Sequence, residues 1–151
     1  MDEKQYRSTY HTINASRCAF EKTILSRRGT CNRCKRFRLA DREGASCTSP
    51  ASRERCEWFL SIMRGKARFA LKLSGDEEQL PFNKEIKVQT GGMLALQLLL
   101  KPEMAGAENI DDIHALLSLA EERYESLESL PYSDIMPGVV SFEGRKRRKK
   151  S

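Results

Sequence analysis

Ser49-Pro50-Ala51-Ser52-Arg53-Glu54-Arg55-Cys56-Glu57-Trp58-Phe59-Leu60-Ser61-Ile62-Met63-Arg64 opens with a helix-start signal and settles into a helical repeat. Ser49 can take the N-cap, and Pro50 suits the first helical position, where no backbone N–H is needed. Cys56, Phe59, Leu60, Met63, Ala67, Ala70 and Leu71 then recur every three or four residues, so one helix face carries them all. Gly65 is a mild cost inside that helix. Such a stripe must be buried against other elements.

On the C-terminal side, Ser74 to Glu78 reads as a break. Glu85 to Gln89 alternates, with Ile86 and Val88 on one side, and predicts a short strand that Gly91-Gly92 would turn. Leu94, Leu96, Leu98, Leu99 and Leu100 are too continuously apolar for periodicity to decide; a buried helix is expected, with a strand as the alternative. Pro102 to Ala107 reads as a loop. Asn109 is expected to cap a second strong helix with Ile113, Leu116, Leu117, Ala120, Tyr124, Leu127 and Leu130 on its face, and Asp111 and Asp112 suit its N-terminal dipole. Pro131 and Pro137 are expected to bracket an irregular stretch.

On the N-terminal side, residues 1–15 read as a polar arm or the first turns of a helix. Ser16 is expected to cap a short helix reaching about Arg28, with Ala19, Phe20, Ile24 and Leu25 on its apolar face and Gly29 ending it. Arg36 to Leu39 reads as extended, and Glu43-Gly44 as a turn before Cys47. The fold expected is mainly α: a small single domain of three or four helices, little extended structure, and a Cys-rich metal-binding N-terminal half.

All five cysteines, Cys18, Cys31, Cys34, Cys47 and Cys56, fall in the first half of the 151-residue chain. Cys31-Asn32-Arg33-Cys34 lets two thiolates reach one metal from a single tight turn. The N-terminus, Met1-Asp2-Glu3-Lys4-Gln5-Tyr6, has no apolar segment of a secretory signal, so reduced thiols and a cytoplasmic setting are expected. An odd number of cysteines also argues against a disulfide framework. Zinc sites usually draw on two close pairs, and here only Cys31/Cys34 is close in sequence. Dispersed cysteines suit an iron–sulfur cluster better, and a 4Fe-4S cluster better than 2Fe-2S; zinc is the alternative. Cys31 and Cys34 are the first expected ligands, then Cys47 and Cys56, with Cys18 a ligand or a spare. Cys56, on an apolar helix face, equally fits ordinary core packing.

Charge is segregated. Residues 1–75 hold 17 Lys and Arg against 7 Asp and Glu, and residues 76–144 hold 4 against 14. Arg145-Lys146-Arg147-Arg148-Lys149-Lys150 adds a basic tail. The division expected is a basic Cys-rich metal-binding region (1–75), an acidic helical region on the same core (76–140) and a basic disordered tail (141–151). Arg17, Arg27, Arg28, Arg33, Lys35, Arg36, Arg38 and Arg42 would offset the charge of a thiolate-bound centre, and would equally suit a phosphate backbone. A protein partner is expected at the acidic half or the tail. Nucleic acid is a further candidate, and the tail would also read as a nuclear import signal in a eukaryote. Trp58 and the scattered aromatics make no base-stacking platform.

No nucleophile, base and orienting acid can be matched, and no phosphate loop or dinucleotide fingerprint is present, so an enzyme is the least supported class. His11 is expected at the surface and His114 at a helix edge. Met93 to Leu100, the longest apolar run, is too short to span a bilayer. The function expected is a small intracellular iron–sulfur protein serving electron transfer, redox sensing or cluster assembly through a partner. The alternative is a zinc-binding nucleic-acid-binding or regulatory protein.

Overall fold

Ser49 caps the longest helix as its sequence requires: the Ser49 hydroxyl accepts from the Ser52 N–H at 3.3 Å, and α3 runs over Pro50–Ala70. The computed structural model describes residues 2–73 and 80–143. The Ser74–Glu78 break and the basic tail fall outside the described residues. Along α3, Cys56, Phe59, Leu60, Met63 and Ala67 are buried, while Ala70 and Leu71 are only partly covered.

The strand expected at Glu85–Gln89 is not formed. α4 (Phe82–Ile86), a π turn (Lys87–Gly91) and α5 (Gly92–Leu100) follow one another without a break. A strand would send alternate side chains to opposite faces, but Val88, Gln89 and Thr90 are buried in succession, and Gln89 Nε2 donates back to Glu85 Oε1 at 3.0 Å. Gly91 and Gly92 do not turn the chain; both are right-handed helical. Gly91 is small because a Cβ there would lie 2.8 Å from the Gly138 carbonyl oxygen and 2.8 Å from Phe142 Cβ. The leucine run is helical, as expected.

α6 spans Ile113–Tyr124, capped by Asp112, which accepts from the Ala115 N–H, rather than by Asn109. Leu116, Leu117 and Ala120 are buried, whereas Leu127 belongs to a short 3-10 turn beyond the helix. The stretch expected to be irregular is α7 (Tyr132–Ser141), with Pro131 before it and Pro137 inside it. Ile135 and Val139, four residues apart, are fully buried, and this packing outweighs the helix-breaking proline. α5 packs on α6 and α7, and α7 also on α3.

At the N-terminus, α1 covers Glu3–Ile13. α2 is shorter than expected, Glu21–Leu25, and Ser16 is not its cap. Ser16 instead accepts from the Cys47 N–H at 2.7 Å, beside the two-stranded sheet. β1 (Cys34–Leu39) and β2 (Arg42–Cys47) pair antiparallel, with Cys34 opposite Cys47 and Leu39 opposite Arg42. Glu43 and Gly44 are therefore strand residues; the turn lies at Ala40-Asp41, where Ala40 takes φ 57°. Counting α4, the π turn and α5 as one helix, the described residues form six helices and one hairpin in place of the three or four helices expected.

The charge halves meet through Arg55–Glu121 at 3.0 Å and Arg64–Glu85 at 2.7 Å. Much of the basic region's charge is answered locally, by Arg27–Glu43, Arg42–Glu3 and Arg17–Glu21.

Candidate metal centre

The hairpin gives the cysteines a relation that their sequence spacing hides. Cys34 and Cys47 sit opposite one another in the ladder, and directly paired residues present their side chains on the same face. Cys18 is placed by its backbone: its N–H donates to the Ala45 carbonyl at 2.9 Å, so residues 16–18 run along the free edge of β2. Cys31 comes from the turn leading into β1, where the Cys34 N–H donates to the Cys31 carbonyl at 3.1 Å. Cys56 projects from α3. All five thiols line one cavity, closed by Ala19, Phe20 and Ile113 and flanked by Arg33, Arg53 and His114. No carboxylate lines it. Its volume is about 10 Å³, room for one water-sized body.

Cys18 and Cys56 are buried, the other three half-buried, and none is in a disulfide. The neighbouring Cys18 and Cys34 thiols divide their acidities: their interaction holds Cys34 below the ordinary thiol range and, with burial, pushes Cys18 above it. Burial raises Cys31, against backbone hydrogen bonds from Arg33 and His114. Burial also pushes Cys56 up to about 12, reinforced by Cys31 and Cys18. Cys47 Sγ donates to the Ser49 carbonyl at 3.2 Å. Among the described residues, no three His, Cys, Asp or Glu side chains are grouped so as to hold one metal ion. The thiols thus ring a common space without closing on a single point.

His114 lies at the rim rather than among the thiols. Its Nδ1 faces Ser52 Oγ at 3.1 Å and Arg55 at 3.0 Å. Arginine can only donate, so Nδ1 is the acceptor there. Burial, then Arg55 and Arg33, hold the imidazole below its ordinary value. His11 is exposed on the last turn of α1.

Only its spacing, four residues after Arg17, hints in the sequence that Glu21 is an organising residue. It is buried and accepts from Arg17 Nε at 2.9 Å and from the Ala45 N–H at 2.9 Å, with Tyr10 and Asn14 completing the set. Burial, then the bond to Glu21, push Tyr10 up to about 12. This network pins α1, α2 and β2 behind the cysteines.

Protein-family models, curated proteins and solved structures give no match to this chain. The functional reading therefore rests on the chain's own chemistry. No helix of the described residues is long and apolar enough to cross a membrane.

Proposed function

We propose that the five-thiol cavity holds an iron–sulfur cluster, and that the protein serves electron transfer, redox sensing or cluster assembly through a protein partner. The observation that carries this reading is the convergence of Cys18, Cys31, Cys34, Cys47 and Cys56, from four separate chain segments, on one cavity. A cluster takes its thiolates on different irons, so ligands spread around a common space suit it. Apolar walls exclude water, and the backbone N–H groups of Arg33 and His114 supply hydrogen bonds of the kind that tune a cluster's potential. Arg33 and Arg53 at the rim offset the negative charge of a thiolate-bound centre. Five thiols exceed the four that a cluster needs, and Cys18, buried and outside the hairpin that carries Cys34 and Cys47, is the member we assign as spare.

One observation favours a second reading, a single zinc ion held by four thiolates: the cavity, about 10 Å³, has room for one water-sized body. Substitution separates ligands from packing residues. Cys34→Ala and Cys47→Ala should each abolish the visible charge-transfer absorption of the anaerobically prepared protein, whereas Cys18→Ala should retain it. Retention of full absorption by Cys34→Ala would refute the ligand assignment.

A further inference from the structure

We propose that the polar cleft between α2, α3 and α4 is a binding site for a small oxyanion, a carboxylate- or phosphate-bearing molecule, with Lys22 as its main charge partner. The cleft has a volume of about 490 Å³, within the usual range for small-molecule sites. It carries four cations, Arg17, Lys22, Arg53 and Arg64, against three carboxylates, Glu21, Glu57 and Glu85.

The acids are already committed. Glu21 accepts from Arg17, Asn14, Tyr10 and the Ala45 N–H. Glu85 takes a two-pronged contact from Arg64 and a third bond from Gln89. Glu57 pairs with Arg53 at 3.1 Å. Gln89, on the buried floor, has its oxygen facing Thr23 and its nitrogen on Glu85.

What remains is positive. Lys22 pairs with no carboxylate among the described residues; its Nζ lies 5.8 Å from the centre of the Phe82 ring. Arg17 reaches Glu21 through Nε, which leaves its terminal nitrogens as further donors. Burial, then the neighbouring Arg17, lower the proton affinity of Lys22, against the pull of Glu85 and Glu21. A half-buried cation with no direct ion pair among the described residues, beside a guanidinium with donors to spare, is the arrangement that oxyanions bind.

Cys18 and Arg53 line both this cleft and the thiol cavity. The two sites share a wall, yet anion binding does not require the metal centre.

The test is calorimetric titration of the full chain at low salt, with inorganic phosphate in one arm and citrate in the other. Saturable one-site binding of either is expected, and the arm that binds identifies the oxyanion. Lys22→Ala should weaken it about ten-fold or more, with Lys22→Arg restoring it. Absence of saturable binding in both arms, or Lys22→Ala binding as tightly as the parent, overturns the proposal. A second measurement needs no variant: a saturating anion should protect Lys22 from amine acylation, and unchanged labelling overturns the proposal equally.

Discussion

Around Leu96, Leu117 and Ile135 the molecule is held by fully buried apolar side chains, whereas around Glu21 and Cys34 it is held by a polar network and a ring of thiols. The helical side draws its core from α3, α5, α6 and α7 together. Between residues 14 and 47, the buried apolar side chains are Cys18, Phe20, Ile24 and Ala45. Phe20 connects the two regions by stacking on Phe59 of α3, 6.4 Å between ring centres. The difference teaches how stability is distributed. The helical side holds most of the fully buried apolar side chains. The hairpin side has little core of its own, and a bound metal centre would supply the missing cross-links.

The largest expected effect breaks that comparison outright. Chelation of the proposed metal centre, or Cys31→Ala, should remove amide-exchange protection across β1 and β2 while α5, α6 and α7 keep theirs. Uniform loss of protection would mean that both regions depend equally on the centre. Next in size is Leu117→Ala, which empties a fully buried position in α6. It should cost about 2–5 kcal/mol in denaturant unfolding, with any visible absorption of the proposed cluster unchanged in the folded fraction.

Gly138→Ala probes the close approach of α7 to α5. Its Cβ would lie 2.7 Å from Ala95 Cβ, so α5 and α7 must separate, at about 1–3 kcal/mol. A neutral result would show that this contact yields easily. The smallest effect concerns acid. Burial pushes Glu85 up, but Arg64 and Gln89 outweigh it and hold the carboxyl below its usual 4.5. A carboxylate with a depressed folded-state pKa contributes stability above its unfolded pKa and loses it as pH falls through the folded one. Unfolding midpoints should therefore drop below about pH 4.5, and Glu85→Gln should flatten that drop. An unaltered acid limb would remove Glu85 from the account.

Legibility in the sequence followed the same division. α3 could be read because cap, proline and apolar face agree over many turns, and α6 because Ile113, Leu116, Leu117 and Ala120 keep one period. The π turn could not. Over five residues, Ile86 and Val88 mimic alternation, and only tertiary packing buries Gln89 and Thr90 as well. Pro137 reads as a breaker because nothing local reveals that Ile135 and Val139 will be buried around it. The cysteine spacing pointed to a shared site but hid how it closes: pairing of Cys34 with Cys47 depends on the tight turn at Ala40-Asp41 rather than Glu43-Gly44. Arg17 stands four residues before Glu21, but Glu21's partners Tyr10 of α1 and Ala45 of β2 lie beyond the reach of any periodicity.

The central claim is that these five thiols surround a cluster, and one preparation tests it most directly. The full chain, purified without oxygen, would be assayed for iron, acid-labile sulfide and zinc in the same sample whose visible spectrum is recorded. The account predicts a brown protein with iron and sulfide in equal amounts, about four of each per chain. A colourless protein carrying one zinc, or no metal at all, would contradict it.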